Sequence, residues 1–331
     1  MVDTSKQTHL KLQNGDQMPQ LGLGLWKMPN EQCADVVVNA VEAGYRLFDS
    51  AADYGNEKET GEGLKRVFEA GTVKREELFV VSKLWNSHHR PEHVKEAVKK
   101  TLADLGLEYL DLYLIHFPIA TKYVSVESRY PAGWIFDTEA ETPKMELDEG
   151  VAYHQTWAAL EELVKEGLVK HIGACNINTD KQRDIIRYAT VKPSVLQVEL
   201  HPYLTQEKLV RFAKSEGLQV IAYSNLGAGS YVSLGGATEE ESVIGREDIK
   251  AIGAKYSKTA AQVVLRWGVQ RGTTVIPKTI SKERLAENAD IFDFELSQEE
   301  MDQVSALNTG RRFNDPGVYC QFFGQFCPIF D

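Results

Sequence analysis

Four residues of types that can move a proton end or follow short apolar runs in the first third of the chain. Asp49 ends one run and Tyr54 lies in the loop after it, whereas Lys83 and His116 end the next two runs. A phenol has a pKa of about 10 and is a poor acid at neutral pH, but a nearby ammonium lowers that pKa. We therefore expect Lys83 to activate Tyr54 as a proton donor. Asp49 would keep the lysine charged, and a neutral His116 would donate to a carbonyl oxygen.

A second candidate site lies towards the other end of the chain and would bind an anion. Lys278 closes an apolar run, and Arg284 lies at the start of the helical stretch that follows. Paired cations beside a helix N-terminus form a phosphate site. The residues alone leave open whether this phosphate belongs to a cofactor or to another ligand of a barrel.

Eight short apolar runs predict the strands that would position these side chains. They are residues 21–25, 45–50, 78–83, 110–116, 170–175, 194–200, 218–224 and 273–278. Helical spacing of apolar residues predicts helices between them at 30–44, 56–71, 90–106, 150–167, 180–189, 205–217 and 247–272. Several of these stretches end in a glycine that suits a left-handed cap, at positions 44, 71, 106, 167, 217 and 272.

This alternation predicts an α/β protein with a (β/α)8 TIM barrel as one domain over residues 1–331. An open doubly wound sheet is the alternative, but the G-x-G at 22–24 lacks the third glycine of a dinucleotide fingerprint. HLKLQ, NGD and MPQLG predict an N-terminal β-hairpin. Residues 117–149 and 225–246 form long loops after strands, on the C-terminal barrel face, and we expect the tail 309–331 to fold over that face.

Composition excludes several classes of function. The 331 residues carry a net charge of −11, which disfavours nucleic acids and anionic membranes as partners. No apolar run reaches membrane-spanning length, and the N-terminal segment is too polar for a signal peptide. The four cysteines, at 33, 175, 320 and 327, lack metal-site spacing, so we expect free thiols, no metal and a cytoplasmic location.

Four motifs, in order, resemble the aldo-keto reductases. They are DSAADYGNE at 49–57, SKLWNS at 82–87, LDLYLIHFP at 110–118 and VIPKTISKERLAEN at 275–288. The resemblance covers almost the whole chain. It implies a barrel that transfers hydride from a nicotinamide cofactor to a carbonyl without a metal. It also implies a catalytic tetrad of Asp49, Tyr54, Lys83 and His116.

The resemblance further implies NADPH as cofactor, with NADH as a weaker second. The cofactor would contact Trp26, Cys175, Asn176, Gln197, Tyr223, Ser224, Asn225, Leu226, Gly227, Lys278, Thr279, Ile280, Arg284, Glu287 and Asn288. Two positions depart from the family pattern. Cys175 replaces a serine, which removes a hydroxyl near the nicotinamide, and Asn225 replaces a proline, which is expected to loosen the loop 225–246.

For the substrate, the resemblance implies an aldehyde or sugar in an aromatic pocket. Its contacts would be Trp26, Asp53, Trp85, His116, Phe117 and Asn314. The tail segment RRFNDP at 311–316 resembles the fungal D-xylose reductase branch, where an asparagine contacts a sugar hydroxyl. Other segments resemble reductases of sugar 6-phosphates, and His88, His89 and Arg90 would then meet the phosphate. A general aldehyde reductase is a further alternative.

Two alternatives come from other classes. One is a non-catalytic regulatory subunit that binds the nicotinamide cofactor. The other is a barrel lyase or isomerase with a Schiff-base lysine at Lys83 or Lys278. The sequence leaves open whether the protein is a monomer or a homodimer.

Overall fold

The computed structural model describes residues 6–330, so residues 1–5 and 331 of the predicted domain and tail lie outside the described residues. The strands are β1 His9–Lys11, β2 Gln17–Pro19, β3 Gly22–Gly24, β4 Leu47–Asp49, β5 Phe79–Leu84, β6 Leu110–Ile115, β7 Val169–Cys175, β8 Val195–Glu199, β9 Gln219–Tyr223 and β10 Thr274–Val275. The α-helices are α1 Asn30–Glu42, α2 Glu57–Glu69, α3 Pro91–Leu105, α4 Tyr153–Lys165, α5 Thr179–Tyr188, α6 Glu207–Ser215, α7 Glu247–Tyr256, α8 Ala260–Gln270, α9 Lys282–Ala289, α10 Gln298–Ser305 and α11 Pro316–Tyr319.

Strands β3 to β10 form one eight-stranded sheet in which the spatial order follows the chain order. The pairs β5–β6, β6–β7 and β9–β10 are parallel, as βαβ connections require. Every residue of β5 and β6 is buried, because helices cover one face of the sheet and the barrel interior covers the other. Each predicted strand is therefore confirmed, with ends shifted by a few residues at most.

The first and last strands meet and close the sheet. Leu21 forms a parallel bridge with Val275. The backbone N–H of Val275 donates to the carbonyl of Gln20 at 2.9 Å, and the N–H of Gly24 donates to the carbonyl of Pro277 at 3.2 Å. The (β/α)8 barrel is thus confirmed, and the open-sheet alternative is wrong. The N-terminal hairpin is also confirmed, since β1 pairs antiparallel with β2.

One predicted helical stretch, 247–272, is interrupted. Ser257 has a φ of 57° and ends α7 in the left-handed region. Thr259 then caps α8, with its side chain accepting from the N–H of Gln262. The T-x-x-Q spacing is a capping-box signal that the apolar periodicity had hidden. All six glycines predicted as caps have positive φ, including Gly106 after α3 at 65°.

The chain divides into two compact units, neither of them continuous in sequence. The first unit contains the chain up to Gly24, Asn39–Leu47 and Gln197–Asn314. The second unit contains Leu25–Val38, Phe48–Leu196 and the tail from Asp315. The assignment of residues 1–331 to a single domain stays a prediction. Among residues 6–330, no helix is long and apolar enough to span a bilayer.

Candidate active site

A buried ion pair of Asp49 and Lys83 lies in the second unit. Asp49 is the last residue of β4 and Lys83 the fifth residue of the neighbouring β5. The Lys83 Nζ donates to Asp49 Oδ1 at 2.7 Å and to the carbonyl of Ser50 at 2.7 Å. The two side chains are 0% and 2% exposed. Charges this deeply buried persist only when paired and hydrogen-bonded, so each residue depends on the other.

The Tyr54 hydroxyl is the third partner of the same ammonium. Tyr54 ends a 3-10 turn after β4, and Gly55 completes that turn at a φ of 69°, where a side chain would be strained. Lys83 Nζ lies 3.0 Å from the Tyr54 oxygen and 4.8 Å from the centre of its ring. The sequence-predicted residues Asp49, Tyr54 and Lys83 are therefore in direct contact.

Burial and Lys83 have opposite effects on the pKa of Tyr54, and the sequence expectation considered only Lys83. Burial raises the pKa of Tyr54 above its usual value, and the opposing effect of Lys83 is smaller. Lys83 does lower the pKa of Tyr54, as expected, but desolvation of the phenolate outweighs its attraction to the ammonium. Burial alone would lower the pKa of Lys83, but Asp49 and Tyr54 raise it above the ordinary range. At neutral pH the site therefore holds a phenol beside an ammonium.

His116 follows β6 and lies beside Tyr54, with 5.8 Å between the ring centroids. Burial, and then the charge of Lys83, hold the pKa of His116 well below its usual value, so the imidazole is neutral. Its Nδ1 is buried without a hydrogen-bond partner among the described residues. Asn176 fixes the backbone here, since its Nδ2 donates to the His116 carbonyl at 2.8 Å.

Aromatic side chains form a wall beside His116. The Trp85 and Phe117 rings lie 5.3 and 4.9 Å from the imidazole. Trp134, from the loop 117–149, lies 5.0 Å from Trp85 and 5.3 Å from Phe117. The sequence predicted that this loop lies on the C-terminal barrel face but did not assign Trp134 to the site, because nothing local shows where a long loop returns. The term aromatic wall denotes Trp85, Phe117 and Trp134 below.

The C-terminal tail packs against this wall. Tyr319 and Phe323 lie 5.5 and 6.2 Å from the Trp134 ring. The N–H of Met145 donates to the carbonyl of Phe323 at 2.8 Å, which ties the tail to the loop 117–149. Val318 and Phe322 in this tail stay exposed. That the whole tail from residue 309 covers the active face stays a prediction.

The anion site predicted around Lys278 and Arg284 is a cavity of about 520 Å³ in the first unit. It is lined by residues that include Lys250, Lys258, Thr259, Lys278, Arg284 and Asn288. Helix α8 begins at its edge, and α9 begins after Ser281, whose hydroxyl accepts from the N–H of Arg284. Lys278 and Arg284 are exposed and form no ion pair with any residue from 6 to 330. Lys250 pairs with Glu247, and Lys258 pairs with Asp290 and Asp293. The groups that fit the phosphates of an extended ligand are therefore Lys278, Arg284 and the two helix N-termini.

The remaining predicted cofactor residues of the first unit are mostly held by neighbours. Ser224 has a φ of 54° and its hydroxyl lies 2.7 Å from the hydroxyl of Tyr231. Asn225 Oδ1 accepts from the N–H of Ile276 at 2.9 Å, so the residue that replaces proline ties this loop to the end of β10. This hydrogen bond anchors the first residue of the loop, and the expected loosening of 225–246 stays a prediction. Gln197 is buried on β8, Tyr223 ends β9, Leu226 lines the cavity, Gly227 has a φ of 77°, Thr279 is buried, Ile280 is exposed and Glu287 accepts from Thr259.

The other predicted substrate residues lie in both units. Asp53 and Trp26 belong to the second unit and are half-buried. Burial raises the pKa of Asp53 to about 8, so its carboxyl is largely protonated at neutral pH. Asn314 ends the first unit, where its N–H donates to the buried Glu199 carboxylate at 2.8 Å. Cys175 is buried, and burial raises the pKa of its thiol, which leaves it uncharged.

The cluster at His88, His89 and Arg90 is not arranged for a phosphate. Both histidines are buried, which lowers their pKa values to about 4 and about 3 and leaves them neutral. The Arg90 guanidinium makes two hydrogen bonds to Asp148, at 2.6 and 2.8 Å. The residues of the 3-10 turn after β5 are buried, so the cluster offers little to a phosphate, and its role as a phosphate site stays a prediction.

Comparison with known proteins adds four findings. The family model described as the aldo/keto reductase family matches residues 18–309. A probable NAD(P)H-dependent D-xylose reductase of Aspergillus clavatus is 48% identical over 330 residues, which cover 97% of this chain and 98% of the relative. An NAD(P)H-dependent D-xylose reductase of Aspergillus niger is 46% identical over 324 residues, with the same coverage. The structure of the aldose reductase from Schistosoma japonicum matches with a TM-score of 0.82 and 38% identity, covering 92% of this chain and 93% of that one.

Proposed function

The chain belongs to the aldo/keto reductase family, and from this premise we propose that it reduces an aldose such as D-xylose to the alditol with NADPH. The observation that carries the proposal is the buried Lys83 ammonium, which contacts Asp49 and the Tyr54 hydroxyl at once. A neutral His116 beside that hydroxyl supplies a further polar group. This combination fits protonation of a carbonyl oxygen as hydride arrives at the carbonyl carbon.

Each member of the tetrad has a separate role in the proposal. Tyr54, kept protonated by burial, donates its proton to the carbonyl oxygen. Lys83 stabilises the phenolate that remains, and Asp49 holds the ammonium in place. Neutral His116 donates to the same carbonyl oxygen and orients it. Trp85 and Phe117 exclude water, which strengthens these interactions.

The cavity of the first unit fits the adenosine end of the cofactor. Lys278 and Arg284 would bind the 2′-phosphate, with Glu287 and Asn288 near the adenine. Gln197 and Asn176 would bind the nicotinamide carboxamide, and Tyr223 would stack on its ring. When bound, the nicotinamide supplies the hydride. NADH, which lacks the 2′-phosphate, would bind more weakly.

Among the substrates, the proposal favours a pentose over a sugar phosphate. Two relatives are named D-xylose reductases. Arg90 is already bonded to Asp148, and His88 and His89 are neutral and buried, so these three residues offer little to a phosphate. Asn314 and Asp53 would contact sugar hydroxyls, with Trp26 and the aromatic wall around the carbon chain.

The proposal also includes location and assembly. All four cysteines are free and buried, which supports a cytoplasmic location because disulfides are rare there. The protein would act as a monomer or homodimer on a small molecule. Size-exclusion chromatography with light scattering distinguishes the two states.

The test measures oxidation of NADPH, with NADH in parallel, against D-xylose, glucose 6-phosphate and DL-glyceraldehyde. Turnover of D-xylose with higher kcat/KM than glucose 6-phosphate is the expected result. Turnover of glyceraldehyde alone would contradict the sugar assignment but keep the reductase. Tight NADPH binding without turnover of any aldehyde would favour the regulatory-subunit alternative.

A further inference from the structure

Glu57 is a buried carboxyl that the proposed chemistry does not use. It begins α2 and accepts hydrogen bonds from three hydroxyls on three different elements. Ser82 of β5 donates to its Oε1 at 2.6 Å. Thr101 of α3 and Tyr130 of the loop 117–149 donate to its Oε2 at 3.0 and 3.3 Å. One carboxyl thus joins the barrel wall, an outer helix and the long loop.

The Glu57 carboxyl depends on its hydrogen-bond donors because it is buried. Glu57 is 3% exposed and no cation pairs with it among the described residues, so hydroxyl donors and the start of α2 provide its stabilisation. Loss of one donor leaves a buried carboxyl oxygen without a hydrogen bond, which destabilises the folded protein. Lys100 also contacts the Tyr130 ring, since its Nζ lies 4.6 Å from the ring centre.

Tyr130 lies four residues before Trp134, which belongs to the aromatic wall. The carbonyl of Gly133 accepts from the Trp85 indole N–H at 3.0 Å, and the next residue, Trp134, lies 5.0 Å from Trp85. Trp85 in turn lies 5.3 Å from His116. A displacement of the segment 130–134 would therefore free the Trp85 indole and move Trp134 away from it.

We propose that Glu57 is a positioning residue for substrate binding, which acts through Tyr130 to hold Trp85 and Trp134 in place. The inference rests on the proposed function in one respect, namely that the aromatic wall contacts the substrate. The remaining steps depend only on contacts within the second unit. Ser82 gives a matched control, because its hydroxyl bonds the other oxygen of the same carboxyl from the strand side.

The experiment compares Tyr130→Phe with Ser82→Ala in the full chain. Each removes one hydroxyl donor to Glu57, so the two should lower Tm by similar amounts. Tyr130→Phe should raise the KM for D-xylose about three- to ten-fold, the loss of one hydrogen bond, with kcat within about two-fold of wild type. Ser82→Ala should leave that KM within about two-fold of wild type, since the loop stays anchored. Equal KM values in the two variants would overturn the proposal.

A spectroscopic readout makes the test independent of turnover. The Trp85–Trp134 pair should contribute to the near-ultraviolet circular dichroism of the cofactor-free protein, and Trp134→Phe defines that contribution. Tyr130→Phe and Glu57→Leu, which removes both acceptor oxygens, should both reduce it, whereas Ser82→Ala should retain it. An unchanged spectrum in Tyr130→Phe would overturn the positioning role. Absence of aldehyde turnover in the wild type would instead count against the proposed function, and the spectra would still decide the role of Glu57.

Discussion

Replacement of Tyr54 by phenylalanine should separate catalysis from stability. The change removes one hydroxyl, and the Lys83 ammonium keeps its bonds to Asp49 and to the Ser50 carbonyl, both at 2.7 Å. The buried charge therefore stays paired, and the loss of folding free energy should be about 0.5–1.5 kcal/mol, the value of one hydrogen bond. The proton donor is lost, so kcat should fall about 10²- to 10⁴-fold, equivalent to about 3–5 kcal/mol in the barrier.

Lys83→Met is the matched comparison, since it leaves Asp49 buried without its cation and should cost about 3–5 kcal/mol of stability. The assays are steady-state oxidation of NADPH with D-xylose and glyceraldehyde, NADPH binding by fluorescence titration, and thermal unfolding. Tyr54→Phe should bind NADPH normally. A variant that kept kcat within about ten-fold of wild type would refute the role of Tyr54 as proton donor. If Tyr54→Phe lowered Tm as much as Lys83→Met, the conclusion that Asp49 and Ser50 keep the Lys83 ammonium paired would be refuted.

Four further substitutions, in three tests, examine the other parts of the assignment. Lys278→Met and Arg284→Ala should raise the Kd of NADPH far more than that of NADH, because only NADPH carries the 2′-phosphate that these exposed cations would bind. Asp53→Asn should stabilise the protein increasingly as pH rises from about 4 to about 8. Burial raises the pKa of Asp53 from 3.8 to about 8 in the folded protein. The wild type therefore keeps its full stability below about pH 4 and loses stability as the pH rises towards 8, whereas the asparagine variant does not. Arg90→Ala should leave kcat/KM for glucose 6-phosphate unchanged, since Asp148 already occupies the guanidinium.

These three tests have clear contrary outcomes. Equal weakening of both cofactors would remove Lys278 and Arg284 from the 2′-phosphate site. A stability difference between wild type and Asp53→Asn that is the same at all pH values in urea unfolding would contradict the raised pKa of the Asp53 carboxyl. A large drop in activity on the sugar phosphate alone in Arg90→Ala would restore the phosphate role that the structure disfavours.

Local patterns predicted the elements because each pattern reflects a local constraint. The eight apolar runs became strands, since residues of a parallel strand are buried on both faces and are therefore mostly apolar. The glycine at 106 was recognised as a cap because few other residues adopt its φ of 65°. The division of 247–272 was missed, although Thr259 and Gln262 carry the signal, because periodicity across 260–270 resembles that of the preceding helix.

Local sequence patterns did not predict contacts between residues that are far apart in the chain. Nothing near Trp134 indicates that it returns to Trp85, and nothing near Phe323 indicates that it stacks on Trp134. The inward position of His88 and His89 was equally hidden, because a short polar segment after a strand is usually solvated. The direction of the Tyr54 pKa required the depth of burial as well as the distance to Lys83.

The sequence by itself determined the barrel and the meeting of Asp49, Tyr54, Lys83 and His116, because parallel strands bring the residues at their carboxyl ends to one edge. Only the tertiary structure decided the protonation of these groups and the course of the loop 117–149. Desolvation depends on every atom that surrounds a group, and a long loop is placed by its contacts with distant segments. Neither quantity can be read from residues that are neighbours in the chain.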